Sequence, residues 1–241
     1  MPSSDFGEIG GAVSKRMLKI FWLIDVSGSM HGEKIAAINR AIKSVIPIIQ
    51  DEADENPEIE TVVRAMKFGS GAKWHTSEIK IKDFKWHDVD AGGVTDTGTA
   101  MKLLSQELSV EKMGLRAIPP VVILMSDGCA TDNYEGGLSV LLAERWSAKT
   151  VRIAIAIGDD ADIDELSKFC SHPKENPPLL ASNANKLIKL IKWASTEVPK
   201  AVSTSVIASS SGEPAKFANI PASPQPQVTI GGNTQGDDEV W

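Results

Sequence analysis

Three short apolar runs, each stopped by a polar loop, most constrain what this chain can become: residues 17–24 (MLKIFWLI), 117–126 (AIPPVVILMS) and 150–157 (TVRIAIAI). Nearly continuous runs of this length, rich in Val, Ile and Leu and lacking a period of two, predict strands, the first two of the kind covered on both faces. The residues between them change rhythm. Ile35, Ile38, Ile42, Val45, Ile46 and Ile49 recur three, four and seven apart, which predicts an amphipathic helix whose last turn Pro47 kinks or tightens. Residues 60–68 (ETVVRAMKF) predict a second strand, with 72–76 as its antiparallel partner across Gly69 and Gly71. Ala100, Met101, Leu104 and Leu108 share one face of a helix that starts near Thr95 on a capping-prone Thr-Asp-Thr. Helices follow at 138–147, 163–170 and 186–194, with a short strand at 178–180. Strands alternating with helices in this way predict an α/β fold, a mostly parallel sheet with helices on both faces.

With 42% apolar and 24% charged residues, the 241-residue chain can bury about 70 to 75% of its extended surface. It needs neither metal nor disulfide merely to fold. The elements span residues 17–194, leaving an N-terminal extension over 1–16. From residue 195 to 241 the composition turns to Ser, Pro and Gly without a period, which predicts a flexible tail. That tail ends in the acidic Gly236-Asp237-Asp238-Glu239-Val240-Trp241, where the terminal indole reads either as a frayed end or as a docking anchor. Cys129 and Cys170 form no CxxC pair. No apolar run reaches the roughly 18 residues of a membrane helix, and the N-terminus lacks a signal-peptide pattern. A cytoplasmic setting without membrane contact is expected. A net charge of −7 supplies no basic footprint for nucleic acid.

The chemistry concentrates where strands end. Asp25, Ser27 and Ser29 follow the first strand at alternate positions, so one carboxylate and two hydroxyls project to a common side, and Gly28 permits a sharp turn between them. The glycine-rich loop Gly92–Gly98 contributes Thr95, and Asp127 follows the strongest strand. In open parallel sheets ligands bind at the carboxyl ends of strands where strand order reverses, and all three segments can reach that edge. Collected together these residues offer oxygen alone. Such hard donors suit Mg²⁺, Mn²⁺ or Ca²⁺ and not zinc, with hydroxyls in direct contact and carboxylates acting in part through water. An open coordination position then favours an acidic residue of a partner protein. Taken singly, each residue is an ordinary cap or turn former; the argument rests on the set.

Asp25-x-Ser27-x-Ser29, a threonine in a glycine-rich loop and Ser126-Asp127-Gly128 together resemble the metal-ion-dependent adhesion site (MIDAS) of the von Willebrand factor A (VWA) domain family, over roughly residues 17–194. The resemblance implies a Rossmann-like doubly wound fold that binds a divalent cation, most often Mg²⁺, through Asp25, Ser27, Ser29, Thr95 and Asp127, and that engages proteins rather than turning over substrates. Val94 departs from the family's frequent Gly-Gly-Thr, and Thr97 offers a second hydroxyl. Ile24–Glu33 and Asp127–Asp132 are similar to the bacterial TerY-like branch linked to tellurium resistance. That similarity implies a Ser/Thr protein kinase and a PP2C-type phosphatase as candidate partners within a signalling or stress-resistance system.

Other constellations fall away on spacing. No Gly-Lys-Ser/Thr occurs for a phosphate loop. Asp160-Ala161-Asp162 opens like a calcium loop, but Glu165 stands where glycine is required, so it reads as a loop entering a helix. Asp88 and Asp90 read as solvated charges. His31, His75, His87 and His172 share no zinc spacing, and only His31 lies beside the site. The rival reading, a metal-dependent hydrolase or phosphotransfer enzyme, lacks a positioned general base.

Overall fold

The computed structural model describes residues 15–114, 117–208 (backbone alone over 205–208) and 220–224. Its seven strands are β1 (Arg16–Asp25), β2 (Ile59–Gly69), β3 (Gly71–Trp74), β4 (Ile79–Lys80), β5 (Val121–Ser126), β6 (Val151–Ile157) and β7 (Leu179–Ala181). The helices are α1 (Glu33–Asp54), α2 (Thr97–Ser105), α3 (Val110–Met113), α4 (Tyr134–Ala143), α5 (Ile163–Phe169), α6 (Ala184–Ser195) and α7 (Glu197–Ala208). Strand order is β3-β2-β1-β5-β6-β7, with β4 also on β2; β3 and β4 run antiparallel and the remaining neighbours parallel. This is the mostly parallel α/β sheet the alternation predicts.

Strand alternation divides the core in two. Leu18, Ile20, Trp22 and Ile24 of β1 join α1, α6 and α7 on one face, while Phe21 and Leu23 join α2, α4 and α5 on the other. β5 divides likewise, with Val121, Ile123 and Met125 against Val122 and Leu124. A strand with both faces buried has few polar positions to spare, which is why β5 reads as an unbroken apolar run and β1 as one interrupted only by Lys19, itself buried and paired with Glu78 at 2.7 Å. On the second face α2 and α4 pack at glycines: a Cβ on Gly137 would run into the Gly98 backbone.

Three expectations need correction. Pro47 does not sit in the last turn of α1, which runs on to Asp54; Val45, Ile46 and Ile49 are buried around it, and their packing offsets one lost backbone hydrogen bond. The helix expected at 138–147 begins earlier, at Tyr134, because Gly136 and Gly137 serve the close approach to α2 and the Asn133 side chain caps the start. The tail does not begin at residue 195. Helix α7 occupies Glu197–Ala208 and buries Val198 and Val202 in the main core. Pro199 is tolerated there because the first turn of a helix has no partner for its amide anyway. Ile220 also packs against the same core. Residues 1–14 of the N-terminal extension and the acidic end with Trp241 lie outside the described residues. Among the described residues no helix is long and apolar enough to cross a membrane.

Candidate metal centre

Chain order reverses between β1 and β5: β2 follows β1 on one side, and β5 returns on the other. Residues Ile24 and Met125 are in register there, so Asp25 and Ser126 come next, side by side at the carboxyl ends. The Ser126 hydroxyl donates to Asp25 Oδ2 at 2.6 Å, and the Ser27 amide donates to Asp25 Oδ1 at 2.8 Å. Asp25 is wholly buried, and burial pushes its carboxyl up to about 6, against the opposing pull of the Ser126 and Ser27 hydrogen bonds. With both oxygens engaged, this carboxylate orients the loop and contributes negative charge from just behind it.

The loop after β1 turns through Gly28–Met30. It brings the Ser27 and Ser29 hydroxyl oxygens within 3.0 Å of each other, Ser27 buried and Ser29 exposed. Two further bonds tie this turn to the glycine loop: the Gly28 amide donates to Gly93 O at 2.9 Å, and the Gly92 amide to Val26 O at 2.7 Å. Gly93 has φ +91°, and a Cβ there would press on the Ser70 hydroxyl. Val94, the departure from the family pattern, simply faces solvent at 48% exposure.

Thr95 is buried and clamped to the third loop, its amide donating to Thr131 Oγ1 at 3.0 Å while its carbonyl accepts from the Thr131 amide at 2.8 Å. Asp132 extends this clamp, accepting from the Gly98 and Thr99 amides and the Thr99 hydroxyl. The Thr-Asp-Thr stretch therefore does not cap α2 itself. Its Asp96 carboxylate reaches Gly71 N at 2.7 Å, and Asp132 caps the helix from across the site.

Asp127 follows β5 and is buried; its carbonyl accepts from the Asp162 amide at 2.8 Å. Its carboxylate is divided. Oδ2 lies 3.5 Å from Lys34 Nζ, whereas Oδ1 is buried without a hydrogen-bond partner among the described residues. The Thr97 hydroxyl is in the same condition. Buried polar atoms without partners are uncommon in folded proteins; Arg64 Nε and Trp193 Nε1, both nitrogens, share the condition elsewhere, whereas the Asp127 and Thr97 oxygens are of the kind a bound cation would satisfy. Among the described residues no three His, Cys, Asp or Glu side chains cluster as a metal site, so a cation here must draw on hydroxyls. The donor set fits: two adjacent serine hydroxyls, a threonine and an unsatisfied carboxylate oxygen suit a hard dication.

Of the five sequence-predicted residues, Asp25, Ser27 and Ser29 share one loop, which is bonded to the Gly92–Gly93 segment that leads to Thr95. Thr95 is in turn bonded to the loop that carries Asp127. Sequence reasoning missed Lys34, Asp160 and Asp132. Asp132 and Asp160 stand in stretches that are distinctive in the sequence, 127–132 and the calcium-like 160–162, but neither stretch indicated the role its carboxylate plays, and Lys34 carried no signal. His31 is exposed and lines the cleft beside Ser29 with Lys34 and Asp160. Asp88 pairs with Lys43 at 2.7 Å, and Asp162 caps α5 through the Glu165 amide at 2.9 Å, as a loop entering a helix should.

Solved structures share this architecture at low identity. The ArnB paralog VWA2 from Sulfolobus acidocaldarius is 16% identical with a TM-score of 0.55, the match covering 76% of this chain and 46% of that one. A von Willebrand factor type A protein from Catenulispora acidiphila is 15% identical with a TM-score of 0.57, covering 76% and 42%. Proximal thread matrix protein 1 from the mussel byssus, described with a zinc-occupied MIDAS motif, is 17% identical with a TM-score of 0.51, covering 76% and 46%. The chain thus spans less than half the length of each. The family model for the von Willebrand factor type A domain matches residues 20–193, nearly the whole of the sheet and its helices, and the chain belongs to that family.

Proposed function

We propose that this chain is a metal-dependent protein-binding module, in which Asp25, Ser27, Ser29, Thr95 and Asp127 hold a divalent cation that takes an acidic residue of a partner protein. The observation that carries this reading is the unpartnered, buried Oδ1 of Asp127, on the residue next to Ser126, whose hydroxyl holds Asp25. Ser27, Ser29 and one threonine are the direct ligands. Asp25 positions Ser27 and supplies charge. The cation would act as an electrophile toward the partner's carboxylate, and binding rather than turnover is the outcome. Mg²⁺ is the first choice from donor chemistry, with Mn²⁺ and Ca²⁺ next. Zinc joins the cations to be tested, since the mussel protein carries it in its MIDAS motif.

The resemblance of Ile24–Glu33 and Asp127–Asp132 to the TerY-like branch is what suggests partners among a Ser/Thr protein kinase and a PP2C-type phosphatase, in a cytoplasmic signalling or stress-resistance system. The free Cys129 and Cys170 accord with that setting. Capture of purified kinase and phosphatase on the immobilised protein tests the reading. Mg²⁺-dependent retention of either, lost with EDTA and with Asp127→Ala, is expected; retention indifferent to both treatments contradicts it.

A further inference from the structure

The cation reading leaves one group unexplained. Lys34, the second residue of α1, extends from the helix across the site, its side chain only 13% exposed. Its Nζ lies 3.5 Å from Oδ2 of the buried Asp127 and 3.1 Å from Oδ1 of the exposed Asp160. The path is built for it. Gly158, at the end of β6, has φ +93°, and a Cβ there would come within 2.9 Å of both Lys34 Cε and Nζ. A lysine laid against a glycine backbone and shared by two carboxylates is a fixed positive charge, placed on the same side chain whose other oxygen has no partner.

We propose that Lys34 is the resident counter-ion of the metal centre, a positioning residue that competes with the divalent cation for Asp127 and makes cation loading depend on the partner. This deepens the reading of the site as a metal centre and rests on it. Like charges a few ångströms apart in a partly buried place repel strongly, so a dication seated at Asp127 must hold its place against the ammonium. The surface-facing Asp160, already the nearer partner at 3.1 Å, would hold the ammonium at the mouth of the cleft when Asp127 is given over to a cation. There it adds to the positive field that receives a carboxylate. Once that carboxylate arrives, it offsets the excess positive charge, so cation and partner strengthen each other's binding reciprocally. Without a partner, Lys34 neutralises Asp127 and keeps the loops in place.

The test is Mn²⁺ affinity, measured by the loss of the free-ion electron paramagnetic resonance signal, for the full chain carrying Lys34 and for Lys34→Met and Lys34→Arg. Removal of the charge is expected to tighten Mn²⁺ binding by about tenfold or more, corresponding to about 1.4 kcal/mol. Lys34→Arg, which keeps the charge, is expected to stay within about threefold of wild type. A Lys34→Met variant that binds Mn²⁺ no more tightly than wild type overturns the proposal while leaving the metal centre standing. If neither protein binds Mn²⁺ at millimolar concentration, the metal centre and the proposal fall together. Binding by Lys34→Met alone supports the proposal in its strongest form. Should Lys34→Met not fold, Asp160→Asn on the exposed side serves: with Asp160 gone the ammonium rests on Asp127 alone, and Mn²⁺ affinity should drop at least threefold. No change there overturns the proposal.

Discussion

Two buried charges in this molecule are treated in opposite ways. Arg152, at the start of β6, is 8% exposed and closes on protein oxygens: Nε donates to Phe169 O at 2.9 Å, and Nη1 to Ser147 O at 2.7 Å and Ser147 Oγ at 3.1 Å. Burial pushes its guanidinium down from the ordinary arginine value. The switch-point cluster at the ends of β1 and β5 is just as dry, yet it stays open, with Asp127 Oδ1 and the Thr97 hydroxyl unmatched. A closed polar cluster holds elements together, here the β6 edge to the turn at Ser147 and the end of α5. An open one holds a place for something else. The difference lies in whether the protein's own atoms complete the hydrogen bonding at a place where several oxygen donors meet; Arg64, whose Nε is also unpartnered, pairs with Glu107 at 2.8 Å instead.

The largest expected effect comes from breaking the closed cluster. Arg152→Ala removes three hydrogen bonds and strands two buried acceptors, for a loss of about 3 kcal/mol and a melting temperature lower by roughly 6 to 12 °C. Its cation affinity should match wild type. Calorimetric melting together with Mg²⁺ titration checks both halves of the expectation, and a variant that keeps its stability but loses the cation would erase the contrast.

The open cluster should respond the other way. Because the Asp25 carboxyl titrates near 6 in the metal-free protein, above its unfolded value, the folded state holds the extra proton. The sign follows from linkage: metal-free stability from this group rises as pH falls from about 7 toward 4, by up to about 3 kcal/mol, and is lost as pH rises through 6. Asp25→Asn should therefore melt no lower than wild type in EDTA at pH 7.5 and should lack that pH slope. With Mg²⁺ at about a hundredfold over its dissociation constant, wild type gains about 2.7 kcal/mol; Asp25→Asn should gain nothing. Urea titrations at several pH values, with and without Mg²⁺, give the comparison. An Asp25→Asn protein that still gains stability from the cation would show that this carboxylate is dispensable.

A smaller effect decides between the two threonines. Alanine at the liganding position should weaken Mg²⁺ binding by about tenfold and at the other by less than twofold. The expectation places the larger loss at Thr95, and the reverse result would move the ligand to Thr97.

The parts of this arrangement that the sequence displays are those made by neighbours in the chain. Asp25, Ser27 and Ser29 are legible because one turn carries all three, and β1 and β5 because double burial leaves nearly continuous apolar runs. What stayed hidden is long-range. Lys34 and Asp160 are 126 positions apart, and no local pattern announces that a lysine in the first turn of α1 reaches the end of β6. Asp132 gives no local sign that it caps a helix 33 residues upstream. Helix α7 was obscured by composition. Val198 and Val202 are its buried apolar residues among the described side chains, and two of its hydroxyls are satisfied within the helix, Ser203 donating to Pro199 O at 2.7 Å and Thr204 to Lys200 O at 2.9 Å. A Ser/Pro-rich segment can thus fold against a finished core where it could not fold alone.

The most direct measurement is a crystal structure of the protein grown with Mn²⁺, with anomalous differences recorded at the manganese edge. One anomalous peak bounded by Ser27, Ser29 and Asp127 Oδ1 is the predicted result. Asp127 Oδ1 still bare in a Mn²⁺-saturated crystal, or manganese bound only elsewhere, would contradict it.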